Sequence, residues 1–208
     1  MSDHRERILA AVREASASAH PPAIPRDYAR SLPADTSIRE MFIDRLVDYK
    51  AEVHEVESAT LPGTIGKVLG QHKVTSLVLD ESIENDWLTT VPGRVLRDGP
   101  GNRHTAKDLD GVDAVLTTSR VSIAQTGTII LDGGPGQGRR AISLVPDLHL
   151  CLVPADSLVG TLPEALERIP DPTRPLTWIS GPSATSDIEL QRVEGVHGPR
   201  TLVVFIVD

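Results

Sequence analysis

Residues 113–153 read DAVLTTSRVSIAQTGTIILDGGPGQGRRAISLVPDLHLCLV, and this stretch decides the fold. It holds three apolar strand candidates, at 113–117, 127–131 and 148–153, which show little polar alternation. Strands of this kind are buried on both faces, as they are in a parallel sheet that helices cover on each side. The stretch therefore predicts the central strands of an α/β protein.

The flanking sequence extends the same pattern in both directions. Further strands are predicted at 52–56, around Val95, and at 75–80, 176–180 and 201–207. Helices are predicted at 3–19, from Ser37, at 60–71, near Trp87 and at 157–169. Because buried strands alternate with helices, and the later strands have fewer helices between them, we predict an open mixed, mostly parallel sheet flanked by helices.

The N-terminal 36 residues differ from the rest of the chain. After the predicted helix 3–19, the segment 20–36 contains four prolines, which fix φ and remove amide donors, so it favours an extended arm. Ser37 and Glu40 then form a capping-box pattern at the start of the next helix. We therefore divide the chain into an N-terminal helix and proline-rich arm, 1–36, and an α/β domain, 37–208.

Composition limits the classes of function. Acidic residues number 29 and basic residues 21, and the resulting formal charge of −8 disfavours nucleic acid and anionic lipid as partners. No apolar run approaches the roughly 20 residues that span a bilayer, and the first residues lack the apolar core of a signal peptide. The single cysteine, Cys151, cannot alone hold an iron–sulfur cluster or a structural zinc. We expect a cytoplasmic protein without nucleic-acid binding, membrane insertion, cluster or metal of its own.

The glycine-rich loop after strand 127–131 is the first candidate site. Glycine allows backbone amides to approach an anion closely, and arginine offers forked donors to carboxylate or phosphate. The loop matches neither the GxGxxG nor the Walker pattern. It predicts an anion-binding loop at the carboxyl end of a strand, with a solvated hairpin loop as the alternative. The residues concerned are Gly134, Gly136, Gly138 and Arg139, with Arg140 next to them.

Two further polar segments are expected to face the same cleft. The turn 124–128 contributes Gln125, Thr126, Gly127 and Thr128, and turn chemistry alone is its alternative interpretation. Segment 180–189 precedes a short helix that is predicted to begin near Ser186, where an anion, or only a helix cap, is expected. Its candidate ligand-binding residues are Gly181, Ser183, Thr185 and Ser186.

The titratable candidates are weaker. The candidates for a catalytic role are His197 and Asp187. His197 lies in a loop framed by glycine and proline and is also a predicted ligand-binding residue. A histidine in a turn is, however, more often structural. His149 and Cys151 alternate along one strand without an apparent third metal ligand, so they are predicted to be core residues.

Together, these segments resemble the lactate utilisation protein C family, whose domain is called the LUD domain. The matching motifs cover roughly residues 110–208 and are AQTGT (124–128), GPGQGR (134–139), SLVPDLH (143–149), SGPSATSDIE (180–189) and GVHGPR (195–200). The resemblance implies a fold like that of sugar-phosphate isomerases and CoA transferases. It also implies a role in oxidising L-lactate to pyruvate beside partner proteins A and B, which carry iron–sulfur clusters. Relatives of that fold often place a glutamate where this chain has Gln125, which argues against a glutamyl-thioester mechanism.

Three functions stay open at this stage. The first is an accessory, non-catalytic subunit that binds a small carboxylate or a phosphate-bearing ligand and has no redox centre. The second is a free-standing enzyme acting on a phosphosugar, CoA thioester or folate-like substrate, which needs a titratable group such as Asp132, Glu189 or His197 in the cleft. The third is a regulatory or assembly protein whose arm docks a partner. A homo-oligomer is compatible with all three.

Overall fold

The computed structural model describes residues 2–18, 20, 22–186, 192–194 and 198–208. Its helices are α1 (Ser2–Ser16), α2 (Ile38–Asp48), α3 (Leu61–Gln71), α4 (Ala106–Asp110), α5 (Arg140–Leu144) and α6 (Leu162–Glu167). Short 3-10 helices occupy Ser58–Thr60, Asn85–Leu88 and Ala155–Ser157. Within the described ranges, no helix has the length and apolar character needed to cross a membrane.

The central strands follow the apolar runs of the sequence. They are β1 (Glu52–Val56), β2 (Ser76–Asp80), β3 (Arg94–Asp98), β4 (Ala114–Thr118), β5 (Val121–Ile123), β6 (Thr128–Leu131), β7 (Leu148–Pro154), β8 (Leu158–Val159), β9 (Thr177–Ile179), β10 (Ala184–Ser186), β11 (Arg192–Glu194) and β12 (Thr201–Val207). β1 and β12 have the bounds that the sequence predicts. For β12 the reason is its apolar run, which marks a strand buried on both faces.

Six of the described strands form a large sheet with the order β1-β12-β7-β4-β2-β3. Every neighbouring pair in it is parallel. α3 packs on one face, and α2, α4 and α5 pack on the other. The predicted α/β architecture, a mostly parallel sheet flanked by helices, is therefore confirmed.

The antiparallel pairing expected of a mixed sheet occurs in a second sheet. Its order is β8-β5-β6-β9, with β6 antiparallel to both β5 and β9. One of its faces, which carries Ile129 and Leu131, packs on the large sheet, and the other carries Val121 and Ile130 and packs on α6. β9 consequently lies on the same side of the large sheet as α5, an arrangement that shapes the candidate site.

Two predicted helices differ from the observed elements. The helix predicted at 157–169 is divided, because Leu158 and Val159 pair with β5 and the capping box of Thr161 and Glu164 starts α6 only afterwards. The prediction of a helix that begins near Ser186 is wrong at that residue, because Ala184–Ser186 form a strand that pairs antiparallel with Arg192–Glu194. Residues 187–191 lie outside the described residues.

The N-terminal segment makes few contacts with the rest of the described chain. α1 leaves Ile8 and Val12 exposed. Further along, the carbonyl of Arg30 accepts a hydrogen bond from the hydroxyl of Thr161 at 2.7 Å, which joins the arm to α6. Ser37 is the N-cap of α2 as predicted, but its side chain makes no capping hydrogen bond.

Candidate functional site

A cavity of about 370 Å³ lies at the carboxyl ends of β2 and β3. Asp80 and Asp98 are register partners at the ends of these strands, and both line the cavity. Gly133 and Gly138 line it from the loop after β6, and Thr177 lines it from β9. The carboxyl edge of the strands is where ligands of open α/β sheets usually bind, so this cavity is the first candidate site.

Asp98 and Arg139 form an ion pair in the wall of this cavity. Asp98 is 2% exposed, and it accepts hydrogen bonds from Arg139 Nε at 2.7 Å and Nη2 at 2.9 Å. The amide of His104 donates to the same carboxylate at 2.9 Å. Burial alone would raise the pKa of Asp98, but these bonds outweigh it and hold that pKa below its ordinary value. The charge of Arg139 is therefore neutralised inside the protein, whereas the sequence predicted an anion receptor.

Most amides of the glycine loop already have protein acceptors. Gly133 donates to the Gln137 side chain at 3.1 Å, and Gly134 donates to the carboxylate of Asp132 at 3.0 Å. Gly136 donates to the hydroxyl of Ser82 at 2.7 Å. Since these amides are bonded inside the protein, they cannot also hold an anion. These three glycines therefore shape the loop, and the positive charge of the cavity has another source.

That source is a set of three arginines. Arg103, Arg140 and Arg174 all line the cavity, and none of them pairs with a carboxylate among the described residues. Arg174 donates to the carbonyl of Gly133 at 2.8 Å, which places its guanidinium against the loop. The cavity lining holds these three arginines and Arg139 against the aspartates Asp80, Asp98 and Asp132, so it has a small excess of positive charge in a chain whose formal charge is −8. Unpaired guanidinium groups suit a carboxylate or phosphate ligand.

A second cavity of about 230 Å³ adjoins the first. Ser143 of α5 and Thr177 of β9 line both cavities, so the two form one groove between that helix and that strand. Leu144, Ile179 and Leu202 make part of its lining apolar. The predicted residues Gly181 and Ser183 also line the second cavity. The glycine loop and segment 180–183 therefore meet in one groove.

His149 lies in the wall of the second cavity and is 1% exposed. Its Nε2 lies 2.8 Å from the hydroxyl of Thr117, which also lies 3.7 Å from the sulfur of Cys151. Burial lowers the pKa of His149 to about 4 and raises the pKa of Cys151 to about 12. At neutral pH both side chains are uncharged. Their burial agrees with the prediction that they are core residues. His149 also lines the second cavity, where it would contact a ligand.

The comparison with protein families matches residues 39–207 to the LUD domain. This chain belongs to the LUD-domain family. Lactate utilization protein C of Deinococcus radiodurans is 46% identical over 203 residues, which cover 96% of this chain and 93% of that protein. Lactate utilization protein C of Shouchella clausii is 27% identical, over 83% of this chain and 78% of that one. The resemblance to the lactate utilisation protein C family is confirmed.

A crystal structure of a DUF162 family protein from Deinococcus radiodurans has the same fold. It superposes with a TM-score of 0.68 at 42% identity, covering 82% of this chain and 96% of that chain. The likeness to sugar-phosphate isomerases and CoA transferases stays a prediction.

The turn 124–128 of this LUD-domain protein lies away from the groove. Gln125 and Thr126 are exposed, and the turn lines neither cavity. Hydroxyl contacts connect it to the groove indirectly, because Thr128 lies 2.7 Å from Thr126 and 2.8 Å from Ser180. Gly127 has a φ of 60° and faces Arg45 of α2. The geometry therefore favours the turn-chemistry interpretation of this segment.

The remaining predicted site residues keep the status of predictions. Thr185 and Ser186 belong to β10. Asp187, Glu189 and His197 lie outside the described residues. Their predicted roles in catalysis or ligand binding are not tested by the geometry.

Sequence reasoning missed Arg103 and Arg174, two of the four arginines that line the first cavity. Arg103 follows the turn Gly99-Pro100-Gly101 directly after β3, and Arg174 stands between Pro172 and Pro175 shortly before β9. The available signal was an arginine beside a glycine or proline turn at the end of a buried strand. The glycine-loop pattern includes Arg140, but it predicts Arg139 as the anion-binding residue.

Proposed function

We propose that this chain is a cytoplasmic, accessory component of lactate utilisation, the oxidation of L-lactate to pyruvate, and that its groove binds a small anion. The relatives from Deinococcus radiodurans and Shouchella clausii carry the name lactate utilization protein C, which supports the pathway. In this proposal the redox chemistry belongs to the iron–sulfur proteins A and B, and the chain contributes a ligand-binding subunit.

One observation carries the binding function: Arg103, Arg140 and Arg174 line a single cavity without carboxylate partners among the described residues. Three aspartates also line this cavity, but Asp98 pairs with Arg139 and Asp132 pairs with Arg120, so only Asp80 offsets the three arginines. A cleft with such an excess of positive charge concentrates anions. Lactate and pyruvate are carboxylates, and phosphate esters present the same acceptor geometry to a guanidinium group. Each of these anions fits the chemistry of the cavity.

The charge states of the lining residues favour binding over general-base catalysis. Asp98 and His149 are lining residues with a shifted pKa, and both shifts are downward. A lower pKa makes each group a weaker base at neutral pH. Cys151 is buried and its pKa is raised, so it is a poor nucleophile. These properties fit an accessory subunit better than a free-standing enzyme.

The binding test uses isothermal titration with inorganic phosphate and with L-lactate. Replacing Arg140 and Arg174 by glutamine is expected to weaken binding at least about tenfold, because hydrogen bonds to charged groups are lost. Arg94→Gln is the matched control, since Arg94 is an exposed arginine at the opposite end of β3. Equal anion affinity in the double variant and the wild type would show that this cavity is not the anion-binding site.

The pathway test uses the three proteins together. Lactate oxidation is measured with partner proteins A and B, with and without this chain, and with the Arg140→Gln/Arg174→Gln variant. The proposal expects a lower rate when the chain is absent and a similar loss with the variant. An unchanged rate without the chain would refute the accessory role, whatever the binding experiment shows.

A further inference from the structure

The groove is larger than a three-carbon acid needs. At no more than roughly 30 Å³ per heavy atom, the six heavy atoms of lactate occupy at most about 180 Å³. The first cavity alone measures about 370 Å³, and the second adds about 230 Å³ beyond Ser143 and Thr177. A ligand that fits this groove therefore has a body in addition to its anionic group.

The two cavities differ in chemistry along the groove. The unpaired arginines all line the first cavity, and the second is lined instead by Leu144, Ile179 and Leu202. Of the three aspartates in the first cavity, Asp98 and Asp132 lie in salt bridges with Arg139 and Arg120, so Asp80 alone offsets the three unpaired arginines. The remaining charge matches a phosphate monoester, which offers three acceptor oxygens and a charge near −2, better than a single carboxylate. The apolar wall accepts a less polar body joined to that phosphate.

His149 supplies one polar group for the body. Its Nε2 lies 2.8 Å from the hydroxyl of Thr117, and the described residues make no other hydrogen bond to this ring. A neutral imidazole can either donate or accept through its other nitrogen, depending on its tautomer. The second cavity thus combines apolar residues with the buried polar side chains of His149 and Ser143, which is the usual composition of an organic ligand site.

We infer that the ligand is a phosphate monoester: its phosphate lies among Arg103, Arg140 and Arg174, and its body extends between α5 and β9 to His149. The inference rests on the proposed function, since it assigns the class of anion that the first cavity binds. Lactate itself is then not a preferred ligand of the groove.

Binding of two probes by isothermal titration tests this assignment. Phenyl phosphate carries an apolar ring, inorganic phosphate does not, and the groove is expected to bind phenyl phosphate at least about tenfold more tightly. In Gly198→Val the two affinities should lie within about twofold of each other, because Gly198 lines the second cavity and a valine side chain there takes the space of the ring. A Cβ at this position meets only ordinary contacts, at 3.7 Å from Leu144 and Ser183, so the variant should fold. Its affinity for inorganic phosphate should stay unchanged.

Fluorescence gives a second readout that does not depend on the folding of the Gly198 variant. The chain has two tryptophans, and Trp178 lines the second cavity. In the Trp87→Phe variant, phenyl phosphate should change the emission of Trp178, and inorganic phosphate at saturation should not.

The outcomes separate this inference from the proposed function. If neither probe binds, the anion site itself is refuted, and the inference with it. If both probes bind with equal affinity in the wild type, the anion site stands and the two-part ligand is overturned. The placement of the body is overturned if the wild type prefers phenyl phosphate but Gly198→Val keeps that preference and Trp178 emission does not change. It is also overturned if lactate outcompetes both probes.

Discussion

Both oxygens of the Asp98 carboxylate accept hydrogen bonds from the guanidinium of Arg139, at 2.7 and 2.9 Å. The pair connects the end of β3 to the residue that precedes α5. It therefore holds two walls of the groove together, while it leaves the neighbouring arginines without a carboxylate of their own. The structural Arg139 therefore stands next in the sequence to Arg140, which we propose as a ligand-binding residue.

Replacing Asp98 by asparagine is expected to destabilise the protein. The change keeps the shape of the side chain but leaves Arg139 without its counter-charge. Removing one partner of a buried ion pair should lower the free energy of unfolding by about 3 kcal/mol. This value is at the low end of the usual range because Arg139 is partly exposed. Urea unfolding at pH 7 measures the difference. Asp110→Asn, at an exposed position, is the control and should lie within about 0.5 kcal/mol of the wild type.

The Asp98 effect should also depend on pH. The folded-state pKa is lowered, so the carboxylate contributes its stability above the unfolded pKa of about 3.9 and loses it as the pH falls through the folded value. The gap in unfolding free energy between wild type and Asp98→Asn should therefore shrink below about pH 4. A gap that stays constant down to pH 2.5 would contradict the ion pair.

His149 should make the protein less stable in mild acid. Burial lowers its pKa to about 4 in the folded state, while the unfolded value is about 6.5. Between these values the unfolded state binds more protons, so stability falls as the pH drops below about 6.5, by about 2 kcal/mol at pH 5. His149→Gln should remove this part of the pH dependence, and the exposed His4→Gln should retain it. Identical pH profiles for wild type and His149→Gln would contradict a buried neutral imidazole.

The sequence predicted the large sheet well because burial on both faces leaves a direct mark. β12 is a nearly uninterrupted apolar run, and its predicted bounds are the observed ones. The second sheet was harder, since β5 and β8 are only three and two residues long. Leu158 and Val159 fit a helical pattern with Leu162 and Leu166, yet pairing with β5 decides their conformation. Tertiary pairing here overrides the local pattern.

The site was only partly predictable for a related reason. Glycine-rich loops are visible in a sequence, whereas the acceptors of their amides are not: Gly136 donates to Ser82, 54 residues away. In the same way, nothing local distinguishes Arg139 from Arg140. The carboxylate that neutralises one of them lies 41 residues earlier, at the end of another strand.

Gly127→Ala tests the structural interpretation of the turn 124–128. Gly127 has a φ of 60°, and a Cβ there would lie 2.7 Å from the Cβ of Arg45. Left-handed backbone alone costs a non-glycine residue about 1–2 kcal/mol, so the variant should lose at least that amount in urea unfolding. Gly63→Ala is the control, since a Cβ there meets nothing within 4 Å in α3 and should raise stability by about 0.5 kcal/mol. Phosphate affinity should be unchanged in Gly127→Ala, and a large loss of affinity would return the turn to the ligand site.

Cys151 should report unfolding through its reactivity. Its side chain is fully buried, and burial raises the pKa of the thiol to about 12 although the Thr117 hydroxyl favours the thiolate. The thiolate is the reactive form, so alkylation by iodoacetamide at pH 8 should be more than about a thousandfold slower in the folded protein than in urea. Mass spectrometry follows the single adduct over time. Labelling of the folded protein within about tenfold of the unfolded rate would place the sulfur at an accessible surface, and it would contradict the packing of β7 against α2 and the second sheet.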